Sequence, residues 1–225
     1  MTPLGDEPPP AVAAAVFGPR LPQASRYAEV LAQAGVQRGL IGPREAGRLW
    51  GRHLLNCAVI GDLIGPSASV LDVGSGAGLP GVPLALARPD LSLTLLEPMA
   101  RRVTFLAEVV SELGLTNVQV VRGRAEDAVV RRSLGLSAMV TARAVAGLDR
   151  LAHWCLPLLA PAGQLLAVKG ASAQAELDAA RAALRAAGAV RAEVELCGVG
   201  LLPTPTTVVL VTMGSTGPGR RRVGG

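Results

Sequence analysis

The chain has 225 residues, half of them hydrophobic, a net charge of +5 and a pI near 10. That is enough apolar material for one full core and too little chain for several large domains. No apolar run approaches the ~18–20 residues a membrane span needs, and Cys57, Cys155 and Cys197 show neither metal-ligand nor disulfide spacing. A reduced, cytoplasmic protein without metal or membrane is therefore expected.

In chain order, residues 1–20 read as a disordered arm. Its start, 1–10, is acidic and proline-rich and lacks the basic and apolar regions of a signal peptide, although a short helical pattern lies at 11–17. A helical region spans 21–66. It has one pattern at 22–35 and a stronger helix opening at Pro43, a favoured first helical position, and running to about Leu63. Gly65-Pro66-Ser67 ends it. Apolar, strand-like runs then occur at 69–73, 92–97, 117–121, 138–142, 164–169, 190–196 and 206–212, with helical patterns near 79–88, 100–113, 125–134, 147–159 and 172–187. Alternating strands and helices predict a parallel, doubly wound sheet over 67–213. Only a loop with Pro203 and Pro205 joins the last two strands, which predicts a hairpin and an antiparallel final strand. That is the Rossmann-like architecture of class I S-adenosylmethionine (SAM)-dependent methyltransferases, with an N-terminal helical extension. Residues 214–225 read as a flexible tail carrying Arg220, Arg221 and Arg222.

The most informative stretch is Val70 to Gly81, VLDVGSGAGLPG. An apolar run ends in an acid, a glycine-rich turn follows, and a helical pattern begins at Leu79. Glycine permits the tight turn and close approach of a ligand, and the N–H groups at the helix start suit an anionic one. Gly76, Gly78 and Gly81 fit the dinucleotide pattern, but Asp72 two residues before Gly74 favours SAM over NAD, because an acid there can reach the ligand's amino group. Glu97 ends the next apolar run, where an acid binds ribose hydroxyls in either kind of fold.

Ligands of such sheets bind beyond the carboxyl ends of the strands. After the third run comes Gly123-Arg124-Ala125-Glu126-Asp127, where an acid can meet the adenine amino group; Glu126 or Asp127 could equally be a helix N-terminal acid. After the fourth comes Thr141-Ala142-Arg143. No Asp/Asn-Pro-Pro-aromatic and no Pro-Cys motif is present, so an acceptor needing no deprotonation fits, such as guanine N7, with Arg143 orienting SAM or a phosphate. Lys169 is the lone Lys against 21 Arg. It ends the fifth run, where it either faces the same cleft, as a catalytic candidate with Arg143 and a point charge for RNA phosphate, or snorkels at a strand end. Arg44, Arg48 and Arg52 recur at helical spacing as a basic stripe suited to phosphate, beside an apolar face interrupted by His53, with Asn56 three residues on. Arg101 and Arg102 stand at a helix start, against the dipole, which points to an anion or to Glu97 beside them. The basic balance favours a polyanion partner, while five aromatic residues are too few for a single-strand stacking platform.

Six segments in order, LIGPREAGRLWGRHLLN, LDVGSGAGLPGVPLALARPD, LLEPMARRVTFL, GRAED, TARAVAGLDRLAHWCLPLL and LLAVKG, together resemble the RsmG or glucose-inhibited division protein B (GidB) family of small-subunit rRNA methyltransferases. The resemblance covers about residues 22–212. It implies transfer of methyl from SAM to N7 of a guanine in a loop of 16S rRNA. It further implies SAM contacts at Gly74 and Leu79, ribose at Glu97, adenine at Ala125 and Glu126, and Arg143 in the SAM cleft. Arg48, Arg52, His53 and Asn56 would pack near that cleft. From their charge and position, Arg48, Arg52, His53, Arg101 and Lys169 are the expected RNA contacts. Ala138 and Gly147 depart from the residues common there, and the Arg tail lies outside the family pattern. The substrate would be 16S rRNA, the 30S subunit or an assembly intermediate, and the protein a monomer. The alternatives are a methyltransferase of another acceptor, a non-catalytic ribosome-assembly factor, or an NAD-dependent reductase. The last lacks a Tyr-Lys pair, since Tyr27 is the one Tyr and lies outside the α/β region.

Overall fold

A computed structural model describes residues 7–143 and 146–215. Residues 216–225, with the Arg tail, and 1–6 lie outside the described residues. Seven strands, β1 (Ser69–Val73), β2 (Ser92–Glu97), β3 (Val118–Arg122), β4 (Ser137–Arg143), β5 (Leu159–Lys169), β6 (Ala189–Cys197) and β7 (Thr206–Met213), form one sheet ordered β3-β2-β1-β4-β5-β7-β6. The first five are parallel; β7 enters antiparallel between β5 and β6. The expected hairpin is present. From β1 the chain moves outward to β3 and then returns to β4 on the other side, so the switch point, and the crevice it opens, lies between β1 and β4.

The strands alternate their side chains between two apolar clusters. On one face Val70, Leu93, Leu95 and Met139 pack with helices α4 (Gly81–Ala87) and α5 (Ala100–Glu112). On the other, Leu71, Leu96, Val140 and Leu165 pack with α7 (Leu148–Cys155) and α8 (Ala173–Ala186), with α6 (Ala128–Leu134) flanking. Helix α5 shows the sequence logic: its buried residues Phe105, Leu106 and Val109 recur on one stripe.

The N-terminal region shares the first cluster rather than standing apart, through Ala13, Phe17, Tyr27, Leu31, Leu54 and Ile60. This corrects the expectation of a disordered arm through residue 20. Helix α1 (Ala11–Phe17) is docked, with Ala13 fully buried and the Phe17 ring edge-on to Trp50 at 6.2 Å. Even Glu7 is tied in, its carbonyl accepting from Trp50 Nε1 at 3.1 Å. An Ala-rich stretch has little polar content to pattern, so only Phe17 signals docking.

The second correction concerns the helix expected over Pro43–Leu63. It is broken into a 3₁₀ segment (Pro43–Arg48), a wide π segment (Leu49–Leu54), one α-turn, α3 (Leu55–Ala58), and a second 3₁₀ segment (Val59–Leu63). The break falls at Arg48, with φ −135° and ψ 19°. Gly47 and Gly51 flank it, and each glycine weakens an α-helix by about 1 kcal/mol relative to Ala. With that propensity spent, packing decides the path, and the segment bends to bring Leu49, Trp50, His53 and Leu54 inward. The first pattern, at 22–35, likewise divides into α2 (Leu21–Val30) and a π segment (Leu31–Gly35).

Candidate functional site

The carboxyl end of the sheet opens into a cavity of about 400 Å³. Its floor is the turn after β1, where Gly74 and Gly76 take left-handed φ of 72° and 60°. One wall is Glu97, Pro98, Met99 and Arg102; the other is Leu40, Ile41, His53 and Arg143. Leu79 lines it as well. A second cavity of about 200 Å³ shares Gly74 and Pro98 with the first and is lined by Leu96, Ala125, Glu126 and Trp154. The sequence-expected residues Gly74, Gly76, Leu79, Glu97, Arg143, Ala125 and Glu126 are therefore brought together in two adjoining hollows.

Two buried carboxylates organise the turn. Glu97, 1 % exposed, accepts from Gly76 N at 3.0 Å through one oxygen and from Met99 N at 3.0 Å through the other. Each oxygen keeps a lone pair. Asp72 is fully buried beneath the turn and does not line the cavity. Thr141 Oγ1, in register on β4, donates to its Oδ1 at 3.0 Å, and Gly81 N donates to its Oδ2 at 3.2 Å. Burial pushes this carboxyl up to about 6, opposed by those donors. The expectation that Asp72 reaches a ligand is corrected: its oxygens are held inside the protein, and it acts on the loop. Gly78 is corrected likewise. It lies outside the cavity lining, at φ 101°, where a Cβ would sit 2.7 Å from Val82 Cγ2 and 2.9 Å from the Tyr27 hydroxyl. Its glycine is required by packing.

The opposite wall is a side-chain network. Arg143 Nη2 stands 2.6 Å from His53 Nδ1, and His53 Nε2 stands 2.8 Å from Glu45 Oε2. Arginine only donates, so Nδ1 accepts and the proton sits on Nε2, donating to Glu45. Burial, then the Arg143 charge, pull the His53 pKa below its ordinary value, which keeps the ring neutral at pH 7. Arg143 also donates to Cys57 Sγ at 2.7 Å and to the Arg52 carbonyl at 3.2 Å. His53 is thus buried and satisfied on both nitrogens, which leaves it a wall of the cavity rather than a free RNA contact.

Lys169 does not face this cleft. Its ammonium donates to Ala146 O at 2.8 Å and to Glu176 Oε2 at 2.7 Å, and it lines a separate cavity with Gly147 and Asp149. The chemistry expected of it at the cleft is corrected: strand β5 ends beside α8, whose Glu176 takes up the charge. Arg101 is exposed, and Arg102, its neighbour, lines the cavity, 3.7 Å from Glu97. Arg102 Nε is buried with no acceptor among the described residues. Arg48 and Arg52 are exposed and line a different cavity from the one His53 faces. Asp127 resolves as the cap of α6, accepting from Val129 N at 2.7 Å, which leaves Glu126 to the smaller hollow.

Three participants escaped the sequence reading. Tyr27 is fully buried, and its hydroxyl donates to Ala77 O at 2.7 Å, clamping the glycine turn from the N-terminal region. Glu45 anchors His53, and Trp154 lines the smaller hollow. A lone tyrosine in a helical pattern was the only visible signal. Among the described residues no group of three or more His, Cys, Asp or Glu could hold a metal ion, and no helix is long and apolar enough to cross a membrane.

The comparisons with known proteins agree with this geometry. Residues 20–201 match the family model described as GidB, rRNA small subunit methyltransferase G. The chain belongs to this family. It is 54 % identical over 214 residues to the ribosomal RNA small subunit methyltransferase G of Mycolicibacterium gilvum, covering 95 % of this chain and 93 % of the relative. It is 56 % identical over 210 residues to the protein of the same name from Mycobacterium marinum, covering 93 % and 92 %. Among solved structures, a SAM-dependent methyltransferase from Aquifex aeolicus superposes with a TM-score of 0.54 at 16 % identity, over 80 % of this chain and 97 % of that one. The precorrin-6y C5,15-methyltransferase of Geobacter metallireducens superposes at 0.53 with 15 % identity, over 76 % and 89 %. At that identity the two show the fold, which is that of class I SAM-dependent methyltransferases. The cleft of this GidB-family chain fits such a ligand on its own donors. Glu97 retains lone pairs at a strand end, the glycine turn leaves backbone open, and Arg102 Nε has no partner among the described residues.

Proposed function

We propose that the protein methylates N7 of a guanine in a loop of 16S rRNA, acting as a monomer in the cytoplasm with SAM as methyl donor. The observation that carries this reading is the kinship with proteins named ribosomal RNA small subunit methyltransferase G over nearly the whole chain. The cavity's chemistry supports it. The titratable groups that line it are His53, Glu97, Arg102 and Arg143. His53 is bonded on both nitrogens and Glu97 is held on both oxygens by backbone N–H groups, so neither stands unengaged beside the cavity as a general base. An acceptor that carries its own lone pair and loses no proton suits such a site; guanine N7 is one.

When bound, SAM supplies a methyl carbon made electrophilic by the adjoining sulfonium. The chain's part is positioning. Glu97 would hold the ribose hydroxyls through its remaining lone pairs, while Ala125, Glu126 and Trp154 enclose the adenine. Gly74, Gly76 and Leu79 leave the backbone of the turn approachable. Arg143, held by His53 and Cys57, keeps its charge on the cavity wall and off the guanine face, where a cation would oppose the positive charge gained at the ring. Bringing the reacting atoms to roughly 3–3.5 Å in line is where most of the rate would come from. The guanine must leave its stack to enter, which favours a loop nucleotide.

The test is incubation with isotope-labelled SAM and 16S rRNA or 30S subunits from cells lacking the modification, followed by nucleoside mass spectrometry. Label in 7-methylguanosine is the expected result. Intact SAM binding with no labelled nucleoside on 16S rRNA, 30S subunits or assembly intermediates would reject it.

A further inference from the structure

A cavity of about 460 Å³ lies on the other side of the Arg52–His53 turn from the methyl-transfer cleft, between the broken helical segment and the β6–β7 loop. Arg52 lines it while His53, the next residue, lines the cleft, so one layer of backbone separates the two. Its size falls within the ~300–1,000 Å³ of small-molecule sites. Leu55, Leu202 and Pro203 give it an apolar floor, and Arg48 and Arg52 stand on its rim. Arg48 makes no ion pair or hydrogen bond among the described residues, and the side chain of Asn56 is likewise uncommitted there, its carbonyl alone being used by Thr206. Glu7 also reaches the rim, and Arg52 Nε is paired with Glu45 Oε2 at 3.2 Å, so Arg48 and the outer nitrogens of Arg52 are the groups left to an anion.

Two glycines in the lining add an independent observation. Gly47 and Gly51 lie in helical segments, where glycine is unfavourable. Neither has a left-handed φ, and a Cβ on either would meet nothing within 4 Å. Neither packing nor backbone conformation requires glycine there. What both glycines do is leave the cavity wall as bare backbone, the arrangement that lets a ligand approach closely.

We infer that this cavity binds a single unstacked nucleotide of the RNA substrate, next along the chain from the target guanine. Its phosphate sits between Arg48 and Arg52, its base lies on Leu55, Leu202 and Pro203, and the Asn56 amide reads the base edge. The inference rests on the RNA-methyltransferase reading above and deepens it. A basic surface alone would bind all RNA evenly; a pocket with a floor and an amide distinguishes one base from another.

The test uses the full-length protein with deproteinised 16S rRNA, and measures KM and kcat for methyl transfer beside the Kd for SAM by calorimetry. Gly51→Leu should fill the cavity and raise the KM for rRNA about tenfold, while Gly51→Ala stays near wild type. Asn56→Ala should raise it roughly fivefold through loss of base-edge contact. SAM affinity should stay within about twofold in all three, because a filled neighbouring cavity leaves the cleft lining intact. Should Gly51→Leu fail to fold, Asn56→Ala and Arg48→Ala decide. If Arg48→Ala alone weakens rRNA use, the site is a phosphate contact and the pocket is overturned. Unchanged KM in every variant overturns it too. A wild-type protein that binds SAM but neither binds nor methylates 16S rRNA, 30S subunits or assembly intermediates rejects the methyltransferase reading itself, and the nucleotide subsite with it.

Discussion

One side of the cleft, the turn from Gly74 to Leu79 with Glu97, is held by backbone N–H groups bonding buried carboxylates; the facing side, His53 with Arg143, is held by side chains bonding one another. The first is built within one βαβ unit, where local sequence sets the geometry. The second joins β4 to the N-terminal segment across 90 residues, through groups that titrate or rotate. A wall of backbone and buried acid is stiff and costly to alter. A wall of paired side chains is adjustable, and should yield more gently.

The largest test of the stiff wall is a pH titration of Asp72→Asn. Asp72 has a folded-state pKa of about 6 against an ordinary 3.8, so its contribution to stability is fully present below the lower value and lost as pH rises through the upper. Replacing it should therefore favour the variant progressively between those limits. A shift near two units corresponds to about 3 kcal/mol. Denaturant melts of both proteins at matched pH read the difference. A constant offset across the window would show that Asp72 is not the group held at raised pKa.

Next come the glycines, which separate fold from ligand on the same turn. A Cβ at Gly81 would overlap Leu95 and lie 2.9 Å from Asp72 Oδ2, so Gly81→Ala should lower stability by about 1–3 kcal/mol. A Cβ at Gly76 meets nothing nearer than the Gly74 carbonyl at 3.8 Å, leaving only the strain of its φ of +60°, about 1–2 kcal/mol. Gly76→Ala should lose SAM affinity out of proportion to stability; Gly81→Ala should do the reverse. Equal losses in both would dissolve the distinction.

The contrast also explains what could be read beforehand. The sheet, its antiparallel last strand and the turn were legible because apolar runs, a D-x-G-x-G-x-G spacing and a strand-end acid are local signals. Roles within the turn were less so. Asp72 and Gly78 carry the right pattern, yet burial turns both inward, and no spacing distinguishes a residue facing a ligand from one facing Tyr27. Lys169 was misplaced for a related reason: its partner Glu176 lies seven residues on, beyond a turn whose path the sequence does not set. The helix expected from Pro43 failed because two glycines left its shape to packing. Tyr27 itself is testable. Tyr27→Phe leaves the Ala77 carbonyl without its buried donor and should cost about 1–2 kcal/mol, with a parallel loss of SAM affinity.

The smallest expected effect, on the adjustable wall, concerns His53. Its pKa lies below the ordinary 6.5, so its stabilising contribution is present above that value and is lost as pH falls beneath it. Protonation would place a hydrogen on Nδ1, the atom that accepts from Arg143, and set two cations 2.6 Å apart. Arg143 should then swing from its place beside Cys57, and SAM should bind several-fold more weakly under acid conditions, the scale of one charge-assisted hydrogen bond. Asp72 titrates across part of the same range, so wild type alone cannot separate the two. His53→Ala can. It should bind SAM a few-fold more weakly at neutral pH and lose the acid-dependent decline that His53 carries, while any pH dependence due to Asp72 remains. An unchanged acid decline would mean that Arg143 is held by Cys57 and the Arg52 carbonyl without help from the imidazole, and that this wall is as rigid as its counterpart.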